Sequence, residues 1–426
     1  LTSWRSITLI LLVMGVLLTA CTSDKPNEAS VPAQDEIQDS GQTITVIQQN
    51  STNKINDNAE PASKEKYQIQ TRLSDFQLIS DTTGIAWGST RNELRLYLTQ
   101  DNGKIWKNIS PSTSVQFLTN PQYGKDIFFI DSLTGWVVRN SQGSAETVVL
   151  RTVDGGANWK LASLPQQAKS SAIFFISKNV GWIITEDDQN SLNMHKALYR
   201  TKDGGVNWEK IMDNSANIEI RGSSPSPTIG SLMGMVFTDN QHGYVTSLIL
   251  GEPHLHITND GGVTWNENKN FSNLDKYQDC EQFTSSAPVF FGEGAKEGWI
   301  SVGCTRKAQT KFNAYYTPDS GNTWKFFSFP IGWQSGENQL LSPTFLNSKE
   351  GWALQSGKVF HTTSQGVKWE ELPESSVLMQ TMKKYPEVVK FQFYSSKVGW
   401  LLVQNNDLKR SLLLQTQDGG IRWHVL

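Results

Sequence analysis

One eight-residue pattern recurs seven times along this chain, and it limits the fold more tightly than any other feature. Thr-x-Asp-x-Gly-x-x-Trp stands at Thr99/Asp101/Gly103/Trp106, Thr152/Asp154/Gly156/Trp159 and Thr201/Asp203/Gly205/Trp208. It returns at Thr258/Asp260/Gly262/Trp265, Thr317/Asp319/Gly321/Trp324 and Thr416/Asp418/Gly420/Trp423. The remaining copy, Thr362/Ser364/Gly366/Trp369, has serine in place of aspartate. The spacing follows from local chemistry. A short carboxylate caps the backbone N–H groups of a tight turn, glycine supplies a positive φ, and the indole anchors the turn on the core. A structural role is therefore expected for Asp101, Asp154, Asp203, Asp260, Asp319, Asp418 and Ser364. The same holds for Trp106, Trp159, Trp208, Trp265, Trp324, Trp369 and Trp423.

A second pattern precedes each octet: an aromatic residue, a short turn, then Gly-Trp opening an apolar run. The pairs are Phe129/Gly135-Trp136, Phe175/Gly181-Trp182, Phe237/Gly243-Tyr244, Phe291/Gly298-Trp299, Phe345/Gly351-Trp352 and Phe393/Gly399-Trp400, with Leu78/Gly84-Ile85 in the first repeat. Seven octet and five Gly-Trp tryptophans make up twelve of the fifteen in the chain, so these indoles read as core and not as ligand platforms. Each repeat carries four strand signals in about fifty residues. An all-β, seven-bladed β-propeller of four-stranded antiparallel blades follows, spanning 67–426. Ring closure by strand exchange would draw on Tyr67–Leu73, whose residues alternate apolar and polar. The octet resembles the Asp-box, or BNR repeat, of sialidases, sortilin-type receptors and related propellers.

Loop lengths separate the two faces. Within a blade the first and third reversals share one end of the strands; the second reversal and the crossover to the next blade share the other. The aromatic-to-Gly spacing is six residues in six repeats and seven in one, and the octet never changes length. From Gly to the octet Thr the spacing runs from 11 to 20, and from octet Trp to the next aromatic from 16 to 29. All variation therefore falls on one face, and binding loops concentrate where a rigid scaffold tolerates insertion. On that face lie Trp333, outside the repeat pattern, and the acidic Asp279 and Glu281. Cys280 and Cys304 lie there too. They form a disulfide if the chain matures outside the cytoplasm; the alternative is two independent thiols.

The N-terminus supplies that setting. Arg5 precedes an apolar run from Ile7 to Leu18, too short to span a bilayer as a helix, which takes about 20 residues, but suited to a signal peptide. It ends in Leu18-Thr19-Ala20-Cys21, which resembles a lipobox. Residues 1–20 are thus expected to be cleaved, Cys21 lipidated, and the protein held at the membrane outside the cytoplasm. Residues 21–66 are polar and lack aromatics, as a disordered tether would. Ile44, Val46 and Ile47 have strand character, but the sequence offers them no partner.

Catalytic chemistry is sparse. Nothing matches the Phe-Arg-Ile-Pro segment or arginine triad of sialidases, and the eleven arginines hold no recurring inner-strand position. His254 and His256 share a strand face without an evident third metal ligand, and solvated imidazoles are expected there. Glu186-Asp187-Asp188 and the group Asp275, Asp279 and Glu281 do not match a calcium loop. No metal or cofactor is expected, and a net charge of −3 gives no pull toward nucleic acid. The Gly-Trp strand followed by Arg-Thr-x-Asp-Gly-Gly-x-x-Trp, at Leu150–Trp159 and Tyr199–Trp208, resembles the photosystem II stability and assembly factor family. That resemblance implies a non-enzymatic propeller binding membrane-protein assembly intermediates through an arginine-rich patch. Arg151 and Arg200 match its arginine, but the other repeats carry Leu98, Ile257, Tyr316, His361 and Gln415. The expected function is a non-enzymatic, lipid-anchored binding or scaffold protein with a protein partner on the variable face. A carbohydrate-active propeller, glycan-binding or hydrolytic, is the alternative.

Overall fold

Wherever the octet occurs, the chain reverses between the third and fourth strands of a small antiparallel sheet. The computed structural model describes residues 43–48, 66–70, 72–90, 92–111, 120–139, 147–164, 169–187, 195–214, 230–269, 271, 279–335, 341–407 and 409–426. These form a seven-bladed β-propeller, each blade built from four strands, A to D, in sequence order. Blade 3 shows the pattern, with Lys169–Phe175, Gly181–Asp187, His195–Thr201 and Glu209–Asp213 paired in succession.

The octet turn is held by the same bonds in every blade. In blade 3 the Thr201 hydroxyl accepts from Gly205 N–H at 2.8 Å and donates to Asp203 Oδ1 at 2.9 Å. Asp203 Oδ1 also accepts from Asn207 N–H at 2.9 Å. In blade 1 Asp101 takes the same place, its Oδ1 accepting from the Thr99 hydroxyl at 2.8 Å and from Ile105 N–H at 3.0 Å. Burial opposes ionisation of Asp203, but the Asn207 N–H and side-chain amide, the Thr201 hydroxyl and the Val206 N–H outweigh it and hold the carboxyl down at about 2. Blade 6 uses Ser364 Oγ in the aspartate position, accepting from Lys368 N–H at 2.9 Å.

The octet tryptophan stands edge-on to a strand-A phenylalanine of its own blade, as in Phe237–Trp265, Phe290–Trp324, Phe345–Trp369 and Phe393–Trp423. In these four blades its indole N–H also closes the turn on the octet glycine. Trp324 donates to Gly321 O at 3.0 Å and Trp369 to Gly366 O at 2.9 Å, as Trp265 and Trp423 do to Gly262 and Gly420. The expectation that all seven are core residues needs one adjustment. Trp106, Trp265, Trp324 and Trp423 are buried, whereas Trp159, Trp208 and Trp369 are half-buried. An indole at the start of strand D lies near the outer rim of a blade, where one ring edge meets solvent.

The Gly-Trp tryptophans do a different job: they staple each blade to the next. Trp182 stacks on Phe237 of blade 4 at 3.7 Å between ring centroids, and its indole N–H donates to Gly261 O in that blade's octet at 2.9 Å. Trp136 repeats this toward Phe175 and Gly204, and Trp352 toward Phe393 and Gly419. Tyr244 supplies the same bond with its hydroxyl, to Ser320 O. Trp299 stacks less closely on Phe345, at 4.8 Å, and its buried Nε1 has no partner among the described residues. Trp400, facing blade 1, also leaves its Nε1 unpaired, and there Gln415 takes Asn102 O instead.

Three further expectations need correction. In blade 5 the residue opposite Gly298 is Phe290, not Phe291, because Glu293–Ala295 form an extra 3-10 turn that lengthens the A–B reversal. Thr43–Gln48 (β1), expected within the tether, is a strand paired parallel to Trp106–Asn108, the D strand of blade 1. Lys66–Gln70 (β2) pairs with β1 antiparallel. The Tyr67–Leu73 segment therefore does not close the ring by strand exchange. Closure rests on contacts between blades 7 and 1. Leu73 N–H donates to Ser411 Oγ at 2.7 Å, and Lys390 Nζ donates to Phe76 O at 2.7 Å. Residues 1–42, with Cys21, lie outside the described residues.

Candidate functional site

Insertions gather on the face formed by the B–C reversals and the D–A crossovers, and they are most elaborate around blades 5 to 7. In blade 5, strands Glu297–Arg306 and Gln309–Thr317 make a long hairpin. Its inner edge is covered by Gln282–Ser285 and its outer edge by Gln334–Ser335. A disulfide joins Cys280 to Cys304, with Cα atoms 5.5 Å apart, and ties the entering crossover to this hairpin. Asp279 and Glu281 flank the cysteine. Asp279 pairs with Arg306 at 3.5 Å, and Glu281 Oε1 accepts from Lys307 N–H at 3.3 Å. Both acids thus grip the hairpin tip, and Trp333 lies at its opposite edge.

The crossover from blade 6 to blade 7 contains Ser376–Lys384, a helix (α1) that sequence reasoning missed. Ser375 caps it, its side chain accepting from Leu378 N–H. Pro373 before it and Pro386 after it bracket the segment. The apolar spacing Leu378, Met379, Met382 carried a helical signal too short to stand out in an all-β chain. Between α1, the Gln355–Lys358 reversal of blade 6 and Trp333 opens a cleft of about 470 Å³. Trp333, Leu354, Lys358, Met379, Met382 and Lys383 are among its lining residues. Trp333 is 39% exposed and Met379 41%. Its floor is preformed, since Gln355 Nε2 donates to Trp333 O at 3.1 Å and Gln334 exchanges two bonds with the Leu341 backbone.

Other candidates lie elsewhere. Arg151 and Arg200 are half-buried between blades on the opposite face. The Arg200 guanidinium lies 5.3 Å from the Trp182 ring and donates to Asn240 O. Together they form no continuous basic patch with the cleft. His254 bonds Glu267 at 2.5 Å, but His256 is 1% exposed, beside Ser247, so it is packed inside the blade and not solvated as expected. Glu186 pairs with the buried Lys196 at 3.3 Å. No group of three or more potential metal ligands occurs among the described residues. A second, polar cavity of about 540 Å³ opens on the short-turn face between blades 4 and 5, lined by Asp239, His242, Tyr244, Glu267 and Asn322 among others.

Comparison with known proteins points to propellers. The Sortilin-Vps10 family model (sortilin, neurotensin receptor 3) matches residues 94–246, about a third of the chain. Vacuolar protein sorting/targeting protein 10 of Paracoccidioides lutzii is 28% identical over 147 residues, covering 31% of this chain and 9% of that protein. Among solved structures, YCF48 from Cyanidioschyzon merolae superposes with a TM-score of 0.50 at 16% identity, over 82% of this chain and 96% of that one. The GH74 xyloglucanase of Xanthomonas campestris gives 0.52 at 13% identity, over 83% of this chain and 54% of that one. Among the described residues no helix is long and apolar enough to cross a membrane. What the chain shares with these structures is the β-propeller itself.

Proposed function

We propose that this chain is a lipoprotein, anchored outside the cytoplasm through Cys21, whose Asp-box propeller binds a protein partner on its variable-loop face and has no catalytic activity of its own. The observation that carries the reading is the preformed cleft beside Trp333, lined by apolar and polar side chains alike, on the face that holds the long loop insertions. The similarity to proteins named for sorting and targeting other proteins is in keeping with it. Asp279 and Glu281 rim the same face one blade away, while Arg151 and Arg200, held between blades, serve the scaffold.

The test is crosslinking and co-purification of the full chain from membranes. Trp333→Ala should reduce partner recovery without lowering the melting temperature; the double reversal Asp279→Lys/Glu281→Lys should reduce it as well, with a small fall in melting temperature from the lost Arg306 and Lys307 contacts. Lys202→Ala on the short-turn face is the control. It is preferred to Asp131 or Lys178, which pair with each other at 3.0 Å and brace a turn. Loss of partners only from the control would place the binding face on the wrong side. Cys21→Ala should leave an unprocessed or soluble protein; processing and fractionation like the parent would remove the anchor. A glycan ligand is the second reading, supported by the polar cavity around Asp239 and His242. It predicts ligand-induced shifts on a glycan panel that Asp239→Ala abolishes.

A further inference from the structure

We infer that the cleft between α1 and blade 6 takes an extended, apolar polypeptide segment carrying an acidic side chain, seated against Lys383. This rests on the reading of the variable face as the binding face and names the occupant of one site there. Three observations meet at this place. The cleft is lined by Met379 and Met382 of α1 and by Trp333, and thioethers and an indole adapt to differing apolar side chains. Gln334, Ser335, Gln355 and Ser356 line it too; each amide spends one N–H on the Leu341 or Trp333 backbone, and the remaining amide hydrogens with the two hydroxyls suit a peptide backbone and would leave an acyl chain poorly matched. A volume of about 470 Å³ lies within the range of preformed ligand sites.

Charge selects the acidic residue. Lys358 and Glu374 both line the cleft; Lys358 pairs with Glu371 at 2.7 Å and lies in the field of Glu374, so these groups offset one another. Lys383, in the last turn of α1, lines the same cleft and makes no ion pair among the described residues. An ammonium at a partly apolar cleft is stabilised by a carboxylate arriving with the ligand, where partial desolvation strengthens the pair.

The probe is a fluorescein-labelled octapeptide, blocked at both ends, with leucine and phenylalanine flanking one central aspartate. Asparagine and lysine versions accompany it, and fluorescence polarisation is read on the full chain. The aspartate peptide should bind saturably, and the asparagine version about three- to fivefold more weakly. Lys383→Gln should erase that difference, while Met379→Glu should abolish binding of both without changing the thermal melt. Failure of all three peptides to saturate, or an unchanged aspartate preference in Lys383→Gln, overturns the proposal. Displacement of the peptide by sodium decanoate that itself binds as tightly overturns it in favour of a lipid cleft. Partner recovery in the membrane crosslinking separates the two readings. A partner held equally by the parent and by Met379→Glu refutes the cleft and spares the binding face. Peptide binding as described, with no partner recovered, supports the cleft and refutes the broader reading.

Discussion

At the scale of single residues, the seven octets offer an internal experiment. Removing the aspartate strips two backbone N–H groups of their acceptor, so Asp203→Ala should cost about 1 kcal/mol or somewhat more. Trp265→Ala removes a fully buried indole and should cost about 3–5 kcal/mol. Ser364 accepts the Lys368 N–H with a hydroxyl alone, so Ser364→Asp should stabilise by about 0.5–1 kcal/mol. Denaturant midpoints of the three variants check these values; equal and negligible effects would contradict the turn assignment. Acidity gives an independent readout. The Asp203 carboxyl is held at about 2, below its unfolded value near 4. Its contribution is therefore present above pH 4 and is lost as pH falls toward 2. Asp154, Asp260, Asp319 and Asp418 are lowered in the same sense. Asp126 has the opposite sign. Burial beside the innermost strand of blade 2 pushes it up to about 6, against the Gln122 N–H and Lys125. Its stabilising contribution is fully present below pH 4 and is lost as pH rises through 6, so Asp126→Asn should flatten the stability profile between pH 4 and 6.

At the scale of elements, the seams between blades differ in a way that two matched substitutions can measure. Trp136→Phe removes an indole bond and leaves Gly204 O without its donor, whereas Trp299→Phe removes a donor that has no acceptor. Both lose similar ring area, so the first should cost about 1 kcal/mol more than the second. Equal losses in urea unfolding would mean that stacking alone holds the blades. These seams also mark how far the sequence could be read. The octet and the Gly-Trp strand betrayed blade number and strand order because each blade repeats them in the same register. The neighbour that each indole reaches was hidden, since no single repeat contains both partners. A second turn was legible and passed unnoticed. In all blades but the fifth, two positions after the last strand-A residue stands Ser80, Asp131, Ser177, Asp239, Asn347 or Ser395, whose side chain accepts an N–H of the A–B reversal. The helix α1 was obscured because its nine residues occur once, and the pairing of β1 because its partner lies some sixty residues further on.

At the scale of the molecule, the disulfide and the outer hairpin make separable contributions. Cys280–Cys304 closes 24 residues, worth about 3 kcal/mol in the chain-entropy estimate. Reduction, or the double change to serine, should lower the melting temperature, and mapping without reductant should recover the two peptides linked. Deleting residues 1–70 removes β1 and β2 yet leaves seven complete four-stranded blades. The truncated chain should still unfold in one cooperative step; loss of cooperativity would show that the hairpin belongs to the ring. Because every blade is one unbroken stretch of chain, the ring carries no memory of where synthesis began. Leu73 bonds blade 7 through Ser411, and Leu426 packs beside Gly103 of blade 1, so the start and finish of the propeller are neighbours. A short peptide joining them, with new ends cut in any of the six crossovers, yields six circular permutants of the parent architecture. Ranking the six with the parent by melting temperature would weigh the seven seams one by one. The parent is already open at one of the two seams whose indole N–H lacks an acceptor, so the most tolerant new cut should fall at the other, between blades 5 and 6.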